Sequence, residues 1–592
     1  MFLLRLRLQY ISLLLLLLTI PGSSVPRTST LEPSETITSL DKAMKKLMRK
    51  HHLPAFAMTI IEGDRTLFES VKGYVDLEKQ VAATRNSIFK IYSVSKVFTA
   101  LEIFREMEEG LIDLEDPLTQ HLPHFSIRSR FPEGDPVTVK TLLAHRSGLP
   151  RNDCLTCPPG EQDPYSLHKF DWCSADCFLA YPVGKRYKYS NLGYNLLGRI
   201  VEENRETGFE EYMKKHLLTD LGMNNSAFRA SDLESGARVA RGYEYYKRTY
   251  YPLYQNDVKN VPSGNLYSSL EDLSVFLQAI LKNQVFSQEN TLEQMCKDHF
   301  STEWDPETMG LGWKTTQLEG GELLIWHDGG PDDGVGALVA AVPDQNLAIA
   351  MIANSTSFGG NISVLFAKEI LQQLLEEKGQ LERKQTKSEE DIYLPEKALQ
   401  SFEGLYIAFG MPMKVQARKK LLKAKIGGMN LTLIPVQERE FRVSHWMDKI
   451  GLTKIIRPPV DFDKLRVLFP PDSTHPPPFT IISLDDISYE ICPRYPVQDE
   501  LSERWDHLLG DYDLAWRLPD NQRGSLSGSS YSISMEKGVL RMSGPFGPIL
   551  PLDDNYFRLM AMPFAGETME YDPETGIIVH QNAIYTPRKG GN

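Results

Sequence analysis

Residues 88–110 read IFKIYSVSKVFTALEIFREMEEG, an apolar lead-in that runs into a long amphipathic segment. From Val97 onward, apolar side chains recur every three or four positions, which is the period of a helix that buries one face. Gly110 ends the segment, as glycine often does directly after a helix. Ser93 and Lys96 lie three residues apart at the start of this predicted helix, so their side chains project from the same face.

This serine–lysine pair is suited to nucleophilic catalysis. A helix N-terminus favours negative charge nearby, and a lysine amine can share the proton of a neighbouring serine hydroxyl. The spacing alone has little value, because four other serines of the chain also have a lysine three residues later. The apolar lead-in and the long helix distinguish Ser93, which we therefore predict to be the nucleophile.

Two further motifs follow downstream. Tyr189-Ser190-Asn191 lies between a glycine-containing polar turn and a predicted helix, and His327-Asp328-Gly329-Gly330 ends a short apolar strand. Each motif is weak alone, since Tyr-x-Asn also occurs at 254–256 and a histidine at a strand end is usually a surface or capping residue. Their order and surroundings, together with the Ser93 motif, make the set specific.

With these three motifs the chain resembles the penicillin-recognising serine hydrolases: the larger serine β-lactamases, D-alanyl-D-alanine carboxypeptidases, D-aminopeptidases and related esterases. The resemblance covers roughly residues 38–375 and includes Leu111–Pro117, Leu142–Pro150, Pro262–Leu266 and Gly310–Trp313. It implies an α+β domain, an antiparallel sheet flanked by helices, which fits the order of strands, helices and strands along the chain. It also implies hydrolysis of an amide, ester or lactam in a small molecule or peptide, through an acyl-enzyme and without metal or cofactor.

The resemblance also implies catalytic roles for the matching residues. Ser93 would be acylated, Lys96 would hold the proton network, and Tyr189 would act as general base and then protonate the leaving group. The backbone N–H groups of Ser93 and Gly330 would form the oxyanion hole.

Substrate binding would involve Asn191, as a hydrogen-bond donor to the substrate amide, together with His327 and Gly329. Many β-lactamases carry a lysine at the position of His327, and that lysine binds the carboxylate of a penicillin or a peptide C-terminus. A histidine is neutral for much of the time near pH 7 and binds a carboxylate less firmly. This departure argues against true β-lactamase activity and favours peptidase or esterase chemistry.

The N-terminus predicts entry into the secretory pathway. Arg5 and Arg7 precede the apolar run Ile11–Ile20, and Pro21 and small residues follow, as in a signal peptide. The run is short for a membrane span, and the alternative is an uncleaved membrane anchor. The predicted location is therefore extracellular or luminal. Four Asn-x-Ser/Thr triplets are glycosylation candidates, at Asn224, Asn354, Asn361 and Asn430.

Four of the six cysteines lie close together in the sequence, at Cys154, Cys157, Cys173 and Cys177. In the cytosol this spacing would indicate a zinc site, whereas behind a secretory signal disulfides are expected. Four cysteines allow three pairings, and the spacing does not choose among them. The insert lies between Pro150 and Tyr189, so it is expected to border the cleft, either as a lid or as a stapled surface loop.

Composition and internal repetition suggest the remaining organisation. The 592 residues are 41% hydrophobic and 24% charged, which indicates a multidomain globular chain, and the net charge of −13 argues against nucleic-acid binding. Oligomeric state stays open. Gly404-Leu405-Tyr406 recurs as Gly510-Asp511-Tyr512, in a tail that otherwise reads as short strands. The predicted segments are a signal peptide (1–24), a linker (25–37), the hydrolase domain (38–376), a charged linker (377–395) and two β-barrel-like repeats (396–496 and 500–590). One double-layered sandwich is the alternative to two barrels for this tail.

Two alternatives to an enzyme remain. The first is a catalytically silent relative kept as a binding protein, and the second is a protein that binds lipid or glycan through its β-rich tail. None of the three motifs is broken, which favours the enzyme. The tail carries none of them, so we expect it to be dispensable for acylation. Its proline-rich loops, Pro458–Asp463 and Pro470–Pro478, could still reach the cleft and restrict what enters.

Overall fold

The structure is a computed structural model. It describes residues 34–588 apart from 132–133, 153–166, 168–176, 235, 254–259, 301–308, 331–332, 382–390, 446–464, 471–478, 485–487, 496–504, 517–529, 537–538, 545, 553–554, 561–563 and 581–582. The predicted signal peptide, three of the clustered cysteines, the loop Pro458–Asp463 and most of the loop Pro470–Pro478 lie outside the described residues.

One antiparallel sheet of seven strands joins the two ends of the first domain, as the order of predicted elements indicates. The strands of this domain are β1 (Ala55–Glu62), β2 (Arg65–Asp76), β3 (Val81–Ala82), β4 (Phe89–Lys90), β5 (Gly242–Tyr246), β6 (Thr249–Leu253), β7 (Tyr267–Ser268), β8 (Lys314–Gln317), β9 (Leu323–Gly329), β10 (Gly336–Val342) and β11 (Leu347–Ala353). The seven-stranded sheet has the order β3-β2-β1-β11-β10-β9-β8, with Phe56 of β1 opposite Ala353 of β11. The other four strands form two short pairs, β4 with β7 and β5 with β6.

Helices cover both faces of this sheet. They are α1 (Glu35–His51), α2 (Ser95–Glu108), α3 (Leu118–His121), α4 (Val139–Leu143), α5 (Asn191–Arg205), α6 (Phe209–Met213), α7 (Val261–Gly264), α8 (Leu270–Leu281), α9 (Thr291–Cys296) and α10 (Gly360–Glu377). Side chains alternate along the strands, so one face of β1 contributes Phe56 and Met58 to a core under α1 and α10. The opposite face contributes Ala57 and Ile61 to the core of the helical lobe, where α2 is buried.

The tail forms two closed antiparallel barrels of eight strands each, which confirms the predicted repeats. A short helix, α11 (Glu396–Ser401), precedes them. The first barrel contains β12 (Gly404–Ala408), β13 (Met411–Arg418), β14 (Leu421–Ile426), β15 (Met429–Pro435), β16 (Glu440–His445), β17 (Leu465–Leu468), β18 (Phe479–Leu484) and β19 (Ser488–Tyr495). The second contains β20 (Gly510–Trp516), β21 (Ser530–Glu536), β22 (Val539–Met542), β23 (Gly547–Pro551), β24 (Tyr556–Leu559), β25 (Thr568–Tyr571), β26 (Ile578–His580) and β27 (Ala583–Pro587).

Among the described residues, apolar side chains of each barrel fill its interior. In the first barrel, Leu422, Ala424 and Ile426 are buried on alternate positions of β14, as expected for a closed barrel. Barrel 2 packs directly on barrel 1. The Tyr495 hydroxyl donates to the Ile549 carbonyl at 3.1 Å and accepts from the Leu540 N–H at 3.2 Å.

One predicted glycosylation site is wrong. Asn354 is fully buried: its Oδ1 accepts from the Ala55 N–H, and its Nδ2 donates to the carbonyls of Tyr74 and Arg241. The nitrogen that would carry a glycan is therefore inside the protein and already bonded. Of the other candidates, Asn224 and Asn430 are exposed and Asn361 is half-buried.

Two further sequence-based expectations concern cysteines and membranes. Cys177 is buried and disulfide-bonded. Its three neighbours in the cluster lie outside the described residues, so the pairing stays a prediction. Cys296 and Cys492 are buried free thiols. In the part of the chain that the structure describes, no helix is long and apolar enough to cross a membrane, and no group of side chains could hold a metal ion.

Candidate active site

A strained turn places Ser93 at the start of α2. Residues Tyr92–Val94 form a single 3-10 turn, and Tyr92 has a φ of 46°, a left-handed conformation that is costly for an aromatic residue. The Ser95 hydroxyl holds this turn, because it donates to the Tyr92 carbonyl and accepts from the Leu266 N–H. The second serine of the motif is thus structural, and Ser93 is left at the exposed end of the turn.

Lys96 is completely buried and has three polar neighbours. Its Nζ lies 3.2 Å from Ser93 Oγ, 2.8 Å from Asn191 Oδ1 and 2.6 Å from the Ser263 carbonyl oxygen. The two carbonyl-type oxygens can only accept, so Nζ donates to both of them. The remaining position of Nζ faces Ser93, where an ammonium would donate and a neutral amine would accept. Ser263 was not predicted as a site residue, although its segment belongs to the resemblance.

Burial moves the pKa values of Lys96 and Tyr189 in opposite directions. Burial and the charges of Arg151 and Lys314 bring the pKa of Lys96 well below its usual value. Burial also raises the pKa of Tyr189, against the effect of its hydrogen bond to Ser93 and of the same two cations. Burial therefore favours the uncharged form of both side chains that flank the serine hydroxyl.

His145 contacts Tyr189 and both of its neighbours in the chain. Its backbone carbonyl accepts from the Lys188 N–H at 2.8 Å, its Nδ1 accepts from the Ser190 N–H at 3.1 Å, and its ring lies 4.3 Å from the ring of Tyr189. Because Nδ1 accepts, the proton of this imidazole is on Nε2, and burial lowers the pKa of His145 well below its usual value. His145 is a neutral support for the tyrosine that the sequence analysis did not single out.

Asn191 begins α5 beside the serine. Its Oδ1 accepts from Lys96, and its Nδ2 donates to Asn152 Oδ1 at 2.8 Å. The second hydrogen of Nδ2 is not used by these two contacts, and donation to a substrate amide stays a prediction. The Arg151 guanidinium lies 5.0 Å from the centre of the Tyr189 ring, so it adds positive charge to this wall of the site.

The end of β9 forms the opposite wall. His327 is buried, and its Nδ1 donates to the Asp328 carbonyl at 2.8 Å. Burial and the charge of Lys314 lower the pKa of His327 below its usual value. Lys314 itself pairs with Asp328 at 3.0 Å. Burial thus disfavours the imidazolium, the form of His327 that would attract a substrate carboxylate.

Two glycines bring this strand against the nucleophile. A Cβ at Gly329 would lie 2.0 Å from the Ile91 carbonyl oxygen and 3.1 Å from Ser93 N, so only glycine fits here. Gly330 has a φ of 88°, and a Cβ there would meet the Val335 carbonyl. The structure thus brings Ser93, Lys96, Tyr189, Asn191, His327, Gly329 and Gly330 into one cleft.

The second barrel (barrel 2) contacts this site through Glu567, which no sequence motif marks as a site residue. Glu567 Oε1 lies 3.1 Å from Lys188 Nζ and accepts from the Arg151 N–H at 2.9 Å. Its Oε2 lies 3.1 Å from His580 Nε2. Burial disfavours the charged carboxylate, but Lys188, His580 and the Arg151 N–H outweigh burial and lower the pKa of Glu567 to about 2.

We expect this carboxylate to make stability depend on pH. Its folded pKa of about 2 lies below the ordinary value of 4.5, so its contribution is complete above about pH 5 and is lost as the pH falls from 4.5 towards 2. The shift corresponds to roughly 3 kcal/mol. Denaturant unfolding of wild type and Glu567→Gln between pH 7 and pH 3 should show a stability difference that narrows with acidity. A constant difference over this range would contradict the assignment.

The chain is similar to β-lactamase-type proteins in sequence. A family model described as Beta-lactamase matches residues 40–366, slightly more than half of the chain. Protein flp of Staphylococcus aureus (strain MW2) is 27% identical over 323 residues, which are 54% of this chain and 63% of that protein. Beta-lactamase-like protein 2 of Dictyostelium discoideum is 30% identical over 252 residues, which are 40% of this chain and 44% of that protein. The chain therefore spans less than two thirds of the length of these relatives.

Solved structures share the fold. The octameric penicillin-binding protein homologue from Pyrococcus abyssi aligns with 77% of this chain and 99% of its own, with a TM-score of 0.51 and 22% identity. The crystal structure of SurE aligns with 78% of this chain and 99% of its own, with a TM-score of 0.53 and 19% identity. At these identities the likeness concerns the fold alone.

Proposed function

Since the chain belongs to the beta-lactamase family, we propose that it is a serine hydrolase that acts on an amide or ester carbonyl through an acyl-enzyme on Ser93. The observation that carries the proposal is the pair of contacts at this serine: Lys96 Nζ lies 3.2 Å from Ser93 Oγ, and the Tyr189 phenol is hydrogen-bonded to the same residue. A nucleophile with two proton-handling groups within reach is what acyl transfer requires.

The proposed proton path follows from the neighbours of Lys96. As a neutral amine it donates its two hydrogens to Asn191 and Ser263 and presents its lone pair to the Ser93 hydroxyl. Attack of Ser93 Oγ on the substrate carbonyl then transfers the serine proton to Nζ. Tyr189 passes a proton to the leaving amine or alcohol, and water releases the acyl group by the reverse route.

The oxyanion of the tetrahedral intermediate is proposed to accept hydrogen bonds from the backbone N–H groups of Ser93 and Gly330. The close approach of Gly329 to Ser93 N supports this arrangement, because it keeps the end of β9 beside the nucleophile. Fixed donors of this kind stabilise developing charge without reorganising, and one donor is typically worth about 10²–10³ in rate.

A neutral His327 supports peptidase or esterase activity over β-lactam hydrolysis. β-Lactams carry a carboxylate beside the reacting carbonyl, and burial, which lowers the pKa of His327, disfavours the charge that would hold that carboxylate. Esters and peptide amides whose carboxylate is absent or distant do not need that contact. The preference concerns the rate on each substrate class and leaves the acyl-enzyme chemistry unchanged.

A substrate panel tests the proposal. Purified protein is assayed with short activated esters, D-amino-acid amides and a chromogenic cephalosporin, alongside a fluorescent fluorophosphonate probe. We expect probe labelling and hydrolysis of an ester or amide, with kcat/KM for the cephalosporin lower by at least tenfold. Folded protein that is neither labelled nor active on any substrate would favour the silent binding protein instead.

We also propose that the protein is secreted or luminal and that the four clustered cysteines form two disulfides. The charged and apolar pattern of residues 1–24 supports the first point, and the disulfide-bonded Cys177 supports the second. N-terminal sequencing of protein from eukaryotic culture medium and non-reducing peptide mapping test both. Intracellular retention with the N-terminus intact, or four free thiols with one equivalent of zinc, would refute them.

A further inference from the structure

We propose that Glu567 is a positioning residue that holds Tyr189 and Asn191 in their catalytic positions, so that barrel 2 completes the active site. The inference rests on the proposed function of Ser93 for its kinetic readout. It concerns a residue far along the chain from the motifs, on a domain that carries none of them.

The carboxylate of Glu567 contacts the residue before Tyr189 directly and is linked to Asn191 through Arg151. One contact is to Lys188, the residue directly before the tyrosine, at 3.1 Å. The other is to the Arg151 N–H at 2.9 Å, and the Arg151 carbonyl in turn accepts from the Asn191 N–H at 2.6 Å. A single oxygen of barrel 2 therefore connects to the residue before Tyr189 and to the loop that holds Asn191.

The contact between Glu567 and Lys188 is almost completely buried. The side chains of Glu567 and Lys188 are 2% and 4% exposed, so water cannot replace either partner. His580 binds the second carboxylate oxygen and fixes its orientation. Removing one member of such a buried set leaves the other charge uncompensated, and the chain around it must move or admit water. Here the chain that must move is the one that carries Tyr189.

Glycine residues allow barrel 2 and the hydrolase domain to come into close contact. Gly566 has a φ of 89°, and a Cβ there would lie 2.5 Å from the ring of Tyr181. On its other side Tyr181 meets Gly148, where a Cβ would lie 2.1 Å from the Tyr181 carbonyl oxygen. Two glycines with positive φ thus let the barrel and the hydrolase loop close on this tyrosine, and Glu567 follows directly after the first of them.

A second contact between the same domains supplies a matched control. Arg128 of the hydrolase domain pairs with Glu570 at 3.2 Å, but both side chains are partly exposed, at 38% and 42%. Glu570 lies three residues after Glu567 in the same barrel and also binds an arginine-bearing segment of the hydrolase domain. Arg128 makes no described contact with Tyr189, Asn191 or Arg151. Loss of this pair should slightly weaken the attachment of barrel 2 to the hydrolase domain and leave Tyr189 and Asn191 in place.

The experiment compares Glu567→Ala, Glu567→Gln and Glu570→Gln in the full-length protein. Hydrogen exchange is measured in peptides covering residues 186–196, and acylation is measured as the rate of fluorophosphonate labelling and as kcat and KM for a small activated ester. For Glu567→Ala we expect faster exchange at 190–192, acylation slower by about 10–100-fold and KM within about twofold, because misplacing a catalytic group costs rate rather than ground-state binding. Glu567→Gln should be intermediate, since its amide oxygen still accepts from Arg151, and Glu570→Gln should match wild type.

Each outcome either supports or contradicts the positioning role of Glu567. A lower melting temperature for Glu567→Ala, with wild-type exchange and acylation at 25 °C, would mean that Glu567 only attaches the barrel, and the proposal would be wrong. Faster exchange without slower acylation would overturn it as well. If Glu567→Ala does not fold, Glu567→Gln alone decides by the same two measurements. If wild type is not labelled at all, the proposed function fails, and hydrogen exchange still tests whether Glu567 holds this wall.

The proposal opposes the expectation from sequence that the tail is dispensable for acylation. A soluble chain truncated near Gln385 lacks the Glu567 carboxylate altogether. On the present argument it should react at Ser93 no faster than Glu567→Ala. Labelling of the truncated chain at the wild-type rate would support the sequence-based expectation and contradict the positioning role.

Discussion

Ser93→Ala is expected to abolish covalent labelling by a fluorophosphonate and to lower hydrolysis of the best substrate by about 10⁴–10⁶-fold, because the nucleophilic oxygen is gone while binding and oxyanion donors remain. The fold should persist, since the bonds that fix the turn are made by Ser95. Intact-mass analysis after labelling should find one adduct on wild type and none on the variant.

Ser534→Ala is the matched control for this experiment. Ser534 has the same spacing to a lysine but is exposed on β21 of the second barrel, away from the cleft. The control should be labelled like wild type. An adduct that persists on Ser93→Ala would show that another residue is the nucleophile, and the proposed mechanism would be abandoned.

Tyr189→Phe is expected to slow acylation by about 10²–10⁴-fold, the usual worth of general acid–base groups. The phenol is half-buried and hydrogen-bonded to Ser93, so its loss removes the proposed route of the proton to the leaving group. The ring itself remains to pack on His145, so the variant should melt near the wild-type temperature. Single-turnover rates with an amide and with a good-leaving-group ester separate the effects, and the amide should suffer more.

Tyr194→Phe is the corresponding control. Its hydroxyl is also buried near Lys96 but donates to the Leu143 carbonyl at 2.8 Å. Loss of that bond should cost about 0.5–1.5 kcal/mol of stability and leave the rates unchanged. Equal rate losses in both tyrosine variants would indicate a general loosening of the site and would remove the specific role of Tyr189.

The hydrolase fold was predictable because its signals are local. The hairpin of β1 and β2 follows from two apolar runs around Gly63, and α2 from a long helical period. The barrels were predictable for the same reason, since short alternating strands return at regular intervals. The site residues could be selected because each lies at the end of a helix or strand, where a short sequence motif can be recognised.

Other features depend on tertiary contacts that leave no local trace. Asn354 satisfies the glycosylation pattern, yet the sheet buries it and uses its amide to join three backbone segments. Glu567 is one acidic residue among 78, and nothing near it in sequence marks it as a partner of Lys188. The lowered pKa of Lys96 likewise follows from burial and from neighbouring cations, which the sequence alone does not place.

The pairing of β1 with β11 also constrains how the protein is made. Strand β1 cannot find its central partner until the ribosome has delivered residue 353, so the first half of the chain must wait with its apolar segments unpaired. Long-range antiparallel pairing of this kind folds slowly and exposes the nascent chain to aggregation. The residue of barrel 2 that contacts this site comes later still, because Glu567 lies 214 residues after Ala353. A premature stop before Glu567 would therefore release a chain that has the complete central sheet but lacks the carboxylate that contacts the segment beside Tyr189.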